Sequence, residues 1–230
     1  TSGSDKGKFG CELWVSTQLP YAQSDDKQLF LQPQHVTVQH SDPRCLLVKI
    51  NAPYFVLDVL VAHAKHGTGN QDAVDDMKQW WQDLGNILKS RRNPAPLLAL
   101  MDGNAHVGSY TSDSVGGWGA ETECIAGKQM HQFLVEFGLA IPATFAEQQE
   151  VGGETHTFTS SYGTKHRNDY VAIPAEWRTA ACTTWVDKDI SLVTYKEDHE
   201  VSSMLLQMDA NIATTFCKRR QPFFDKHKFK

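Results

Sequence analysis

The stretch YFVLDVLVA at residues 54–62 constrains the fold more than any other part of the chain. It is apolar almost throughout, as a central strand covered on both faces must be. Asp58 interrupts it, and it is far too short to cross a bilayer. A second apolar run, PLLALMD at residues 96–102, stops abruptly at Asp102, Gly103 and Asn104. Between the two runs the period lengthens. Met77, Trp80, Trp81, Leu84, Ile87 and Leu88 fall on one face of a helix predicted within residues 70–92. The adjacent tryptophans read as packing residues rather than a ligand cage.

Shorter strands are predicted at residues 11–16, 35–39, 45–50, 155–160, 169–174, 182–187 and 201–208. A second amphipathic helix is predicted at residues 129–137, closed by Gly138. The glycine-rich segment VGGWGAE, ending at Glu121, reads as a surface or active-site loop. Two helices separating antiparallel-looking groups of strands predict an α+β or layered α/β sandwich with helices outside two packed sheets. No linker divides the chain, so residues 1–230 are read as one domain, with 1–9 a polar lead-in and 218–230 a basic tail.

A net charge of −5 argues against a protein that coats nucleic acid through a broad basic surface. It does not argue against a nuclease, because acidic residues are what hold a catalytic cation. The tail CKRRQPFFDKHKFK is basic with interleaved aromatics and reads as a solvated tail in preference to a phosphate-binding arm. The N-terminal residues lack the order of a secretory signal. Cys11, Cys45, Cys124, Cys182 and Cys217 are scattered without zinc-ligand spacing. They read as free thiols of a reducing, intracellular compartment.

Four segments share one design, an apolar strand bordered by polar residues able to handle a phosphate. VAHAKHG carries His63 and His66; LMDGNAHVG carries Asp102 and Asn104; KHRNDYVAIP carries Arg167 and Asp169; EDHEVSSML carries Asp198 and His199. Each alone has an ordinary explanation. Asp-Gly-Asn is a common turn, Asp-His a common solvated loop, and a single histidine a common core residue.

In this order the four segments resemble the endonuclease/exonuclease/phosphatase superfamily. That group includes deoxyribonuclease I, abasic-site endonucleases, inositol-polyphosphate phosphatases and the endonuclease domains of non-LTR retrotransposons. LMDGNAHVG is similar to its Gly-Asp-x-Asn motif, with Met101 replacing the usual Gly. RNDYVAIP matches Arg-x-Asp-Tyr through Arg167, Asp169 and Tyr170, and EDHEVSSML resembles Ser-Asp-His with Glu197 where Ser is common. The WWQDLGNIL helix is especially like the retrotransposon endonucleases, and the resemblance spans residues 10–208.

The resemblance implies a four-layer α/β/β/α sandwich of the deoxyribonuclease I-like type. It implies in-line hydrolysis of a phosphodiester with Mg²⁺ or Mn²⁺. In that scheme His199 activates the attacking water and Asp169 orients its imidazole. Asp102 orients the water or shares the base role, Asn104 donates an amide N–H to the phosphate, and His63 donates to the transition state. Asp198 is the expected metal contact, with His66 and Arg167 binding substrate. The implied partner is the DNA backbone. As a retrotransposon endonuclease the protein would be nuclear and joined to a reverse-transcriptase domain, with no membrane contact. An inositol-phosphate or lipid phosphodiesterase of the same superfamily is the alternative, as is a noncatalytic relic that binds nucleic acid or protein. One feature of the family pattern is missing from the sequence: a strand ending in Gln-Glu, whose Glu is the principal metal ligand. Glu12 is a poor substitute, so the chain is expected to be N-terminally truncated, to bind Mg²⁺ weakly and to have little or no nuclease activity.

Overall fold

The computed structural model describes residues 10–24, 27–150, 153–188, 190 and 198–208. The lead-in at 1–9, Glu197, Cys217 and the basic tail lie outside the described residues. In chain order the elements are β1 (Pro20–Ser24), β2 (Lys27–Phe30), β3 (Val36–Asp42), β4 (Cys45–Ala52), β5 (Phe55–His63), α1 (Gln71–Lys89), β6 (Leu97–Asp102), α2 (Ile125–Phe137), β7 (Leu139–Ala140), β8 (Phe158–Thr159), β9 (Lys165–His166), β10 (Asp169–Pro174), β11 (Ala181–Asp187) and β12 (Val201–Gln207).

The two apolar runs become β5 and β6, central neighbours in a six-stranded sheet of order β3-β4-β5-β6-β10-β7. They are parallel, while the other pairs of this sheet are antiparallel. Parallel neighbours need a crossover, and α1 provides it. Its start is fixed by Asn70, whose side chain accepts the N–H of Ala73 at 3.0 Å. Met77, Trp81, Leu84 and Leu88 are its buried face, each contributing roughly 1.5–3 kcal/mol by leaving water.

Asp58, the polar break in the first run, is fully buried and compensated. Its Oδ2 accepts from the Arg91 guanidinium and from the Ala95 N–H, each at 3.0 Å. Lys49, its cross-strand partner, places its ammonium 3.3 Å from Oδ1. The charge ties β5 to β4 and to the segment that leads into β6.

Both α-helices cover the same face of the sheet, where Leu60, Ala62, Ala99, Met101, Tyr170 and Ala172 point. Trp81 of α1 meets Phe133 of α2 with ring centroids 5.2 Å apart. The opposite face, carrying Leu57, Val59, Leu98, Leu100 and Ile173, packs on Trp177 and on Cys182, Met204 and Leu206 of the antiparallel β11–β12 pair. The result is an α/β sandwich of the expected class; among the described residues both α-helices lie on one side of the main sheet and a smaller β layer on the other. No helix of the described residues is long and apolar enough to span a membrane.

Three local expectations change. Residues 11–16 alternate in burial as a strand would, with Cys11 and Leu13 packed on Leu46 and Val48, yet they form no ladder. The periodic pattern reports a face, and pairing needs a neighbour as well. Helix α2 begins a turn earlier than periodicity indicates, because Cys124 acts as its N-cap and accepts the Gly127 N–H at 3.3 Å. Cysteine is outside the usual set of capping residues, so the start was hidden. Gly138, at φ 61, closes this helix as expected. The β1–β2 pair was not anticipated; Tyr21 anchors it by donating its hydroxyl to the Pro53 carbonyl at 2.8 Å.

Candidate active site

Strand register brings three of the expected residues into one transverse row. His63 at the end of β5 pairs with Asp102 at the end of β6, and Asp102 pairs with Asp169 at the start of β10. Residues directly opposed on neighbouring strands project from the same face. That face is the one away from the helices, since the alternating residues Leu98, Leu100 and Ile173 pack there. The row therefore stands at the mouth of the space between the two β layers.

The smaller layer delivers the fourth member. His199, two residues ahead of β12, bonds through Nδ1 to Asp169 Oδ2 at 2.9 Å. Its segment is held against β8 by the Thr159 N–H on the Asp198 carbonyl at 2.8 Å and the Glu200 N–H on the Thr157 carbonyl at 2.7 Å. The Phe158 ring lies 4.9 Å from the imidazole, centroid to centroid. Thr157 also fixes the other side of the pair: its buried hydroxyl oxygen accepts the N–H groups of Asn168 at 3.1 Å and Asp169 at 2.9 Å.

The turn after β6 orients Asp102. Its Oδ1 accepts the Asn104 N–H at 3.1 Å. Asn104 has φ 43, a left-handed conformation that asparagine tolerates better than most residues. Its side-chain amide donates to the Ala64 carbonyl at 2.9 Å, and the Ala64 N–H donates to the Asp102 carbonyl at 2.8 Å. The amide expected to face a phosphate thus also ties β5 to β6. A Cβ on Gly103 would lie 3.2 Å from the buried Tyr170 ring, so the turn is packed directly on the Arg-x-Asp-Tyr tyrosine. His63 Nε2 lies 3.6 Å from Asp102 Oδ2, too far for a hydrogen bond.

The electrostatics divide these groups. The hydrogen bond to Asp169 raises the pKa of His199 above the ordinary histidine value despite burial, helped by the charges of Asp169, Asp102 and Asp198. Burial, then the Asp169 charge, pushes the Asp102 carboxyl up to about 6, against the pull of the Asn104 N–H. Burial is also the first cause lowering His63 and His66, followed in both by the nearby Arg44 cation. The site therefore favours the neutral forms of His63 and His66, favours the cationic form of His199, and crowds the Asp102 and Asp169 carboxyl groups together.

His63, His66, Asp102, Asn104, Asp198 and His199 all line one cavity of about 680 Å³. Asp102, Asp169 and His199 offer donor atoms within 4.8 Å of one another. Two oxygen donors whose like charges oppose each other fit a hard divalent cation, which commonly takes one or two carboxylates and completes its shell with water or phosphate. Asp198 is exposed at the cavity wall and is outside that convergent donor set.

Arg167 is the clear correction. It is only 4% exposed. Its Nε donates to the Thr155 carbonyl at 2.7 Å and its Nη1 to the Trp118 carbonyl at 3.2 Å. Its backbone N–H donates to Glu121 Oε1 at 2.7 Å. The residue holds loops together and is not among the cavity-lining side chains. Sequence reasoning missed two others. Arg44, in the tight turn between β3 and β4, donates to the carbonyls of His63 and Ala64, each at 3.2 Å, and biases three site groups. Thr157 had no signal beyond its place in a short predicted strand.

No family model and no curated protein matches the chain by sequence. Solved structures do match. The endonuclease domain of TRAS1, a telomere-specific non-LTR retrotransposon, aligns with a TM-score of 0.53 and 14% identity over 83% of this chain and 80% of that one. The 3′ phosphatase NExo from Neisseria, bound to a product DNA hairpin, aligns with a TM-score of 0.52 and 15% identity over 77% and 72%. An AP endonuclease from Archaeoglobus fulgidus aligns with a TM-score of 0.51 and 15% identity over 76% and 79%. The chain has the deoxyribonuclease I-like α/β fold of these solved structures.

Proposed function

We propose that this chain is a divalent-metal-assisted phosphodiesterase acting on DNA, of the retrotransposon-endonuclease kind. The observation that carries the reading is the row His63–Asp102–Asp169 with His199 bonded to its end. The WWQDLGNIL helix and the DNA-processing neighbours support DNA as the substrate.

His199 commits Nδ1 to Asp169, so its neutral form carries the proton there and presents Nε2 as the base. A water at Nε2 loses its proton to the imidazole as it attacks phosphorus. Asp169 stabilises the imidazolium that forms. Asp102 orients the water, while His63 and the Asn104 amide donate to phosphate oxygens as charge develops on them. His66 adds a donor on the cavity wall, and Arg44, bonded to the His63 and Ala64 carbonyls, adds positive charge behind it. Asp102 and Asp169, with Asp198 acting through water, would hold Mg²⁺ or Mn²⁺, which when bound neutralises phosphate charge and stabilises the leaving oxygen.

The test is cleavage of supercoiled plasmid, abasic duplex and inositol phosphate with Mg²⁺ or Mn²⁺, comparing wild type with His199→Ala. A slow, chelator-sensitive nicking of DNA is expected, reduced about a hundredfold or more by the substitution. Equal rates in the two proteins would sink the role of His199. Turnover of inositol phosphate in preference to either DNA would overturn the substrate assignment.

A further inference from the structure

A second group of metal-type donors, outside the row of His63, Asp102 and Asp169, borders the same cavity through His106. His106 follows the β6 turn, Glu121 ends the glycine-rich loop, and His166 ends β9. Three segments distant in sequence thus converge, and donor atoms of all three side chains lie within 4.8 Å of one another. Glu121 Oε2 is 2.7 Å from His166 Nδ1 and 3.8 Å from His106 Nδ1. The two imidazoles stack with centroids 4.3 Å apart and planes 10° from parallel, and each has Nδ1 on the side of the same Glu121 oxygen.

The backbone around these groups is pinned. The Glu121 N–H donates to the Val107 carbonyl at 3.0 Å, and the Ser109 N–H to the Glu121 carbonyl at 3.1 Å. The Thr157 N–H donates to the His166 carbonyl at 2.9 Å. Glu121 Oε1 is held by the Arg167 N–H, which leaves Oε2 as the oxygen facing the histidines. The Arg167 guanidinium is engaged by the Thr155 and Trp118 carbonyls. Each donor side chain keeps between 23% and 31% of its surface exposed, enough for an ion to enter. His106 also lines the cavity shared with His63 and His199.

We propose that His106, Glu121 and His166 form a binding site for a late first-row divalent cation, with Zn²⁺ the best match. Two imidazole nitrogens and one carboxylate oxygen suit Zn²⁺, Ni²⁺ or Cu²⁺, whereas Mg²⁺ prefers oxygen donors alone. Three protein ligands leave a fourth position open. Because His106 borders the cavity, that position is available to water or to a phosphate oxygen of a bound substrate. The site does not depend on the catalytic reading, since it shares no ligand with the row.

The test uses chelator-treated, metal-free protein and Zn²⁺ alone. Calorimetry compares wild type, His166→Gln, Glu121→Gln and the row variant His199→Ala, with circular dichroism to confirm that each is folded. In parallel, ring-nitrogen NMR on the wild type follows every histidine as Zn²⁺ is added. Shifts at His106 and His166 on saturation are expected. Binding should weaken in the first two variants by at least the roughly tenfold that loss of even an outer partner costs, and persist in His199→Ala. Two results would overturn the proposal. One is no Zn²⁺ binding, which would make the group a hydrogen-bonded tie between loop and strand. The other is binding lost in His199→Ala with the His106 and His166 rings undisturbed, which would place the ion in the row. The wild-type NMR decides even if a variant fails to fold.

Discussion

His199 Nδ1 and Asp169 Oδ2 stand 2.9 Å apart, joining the two β layers of the sandwich across the cavity mouth. The bond favours the imidazolium, and the His199 pKa is raised. A raised histidine pKa stabilises the fold fully below the unfolded value of about 6.5, and the benefit fades as pH climbs through the folded value. The pH window is therefore the one just above the ordinary histidine pKa. Asp169→Asn should lower the His199 pKa in an NMR titration and move the acidic limb of the pH–rate profile, where the general base loses its proton, to lower pH. It should also slow cleavage by about a hundredfold or more. An unchanged His199 titration would show that the pair is not coupled in solution.

Asp102 follows the opposite logic to a salt-bridged carboxylate. Its pKa is raised to about 6 by burial and by Asp169. The folded state thus resists ionisation that the unfolded chain accepts, and the penalty grows as pH rises from the unfolded value toward about 6, remaining in full above it. In metal-free buffer at neutral pH, Asp102→Asn should stabilise the protein by about 1–2 kcal/mol after allowance for its partial exposure. The same change should remove cleavage. Urea unfolding above and below the Asp102 pKa checks this, and a destabilised Asn variant at neutral pH would contradict it.

Arg167 tests structure against recognition. Arg167→Ala leaves the Thr155 and Trp118 carbonyls without their donor, which should cost about 2–4 kcal/mol of unfolding free energy. Lys would keep the charge without the fork and should rescue little. If instead stability is unchanged while DNA affinity falls, the arginine contacts substrate after all.

The polar residues of the site were legible in the sequence because strand ends announce themselves. An apolar run that stops at Asp102, or begins after Asp169 or His199, marks both the strand and the residue carried to the sheet edge. Helix α1 was legible for the same reason, since its buried face repeats at helical spacing. Cys124 hid the start of α2 because a thiol rarely caps a helix. Arg167 was misplaced because a motif position says which residue type is present and not which way it turns; the buried carbonyls of Thr155 and Trp118 decide that.

What the sequence determined by itself is the local periodicity, and with it most of the strands, the main helix and the residue types at their ends. Only the tertiary structure decided that His63, Asp102 and Asp169 share a row, that Thr157 and Arg44 serve it, and that His106, Glu121 and His166 meet. The physical reason is that periodicity records which face a segment buries, a property of neighbouring residues in the chain. Register between strands and the meeting of distant loops are set by packing across the whole domain, and no single segment carries that information.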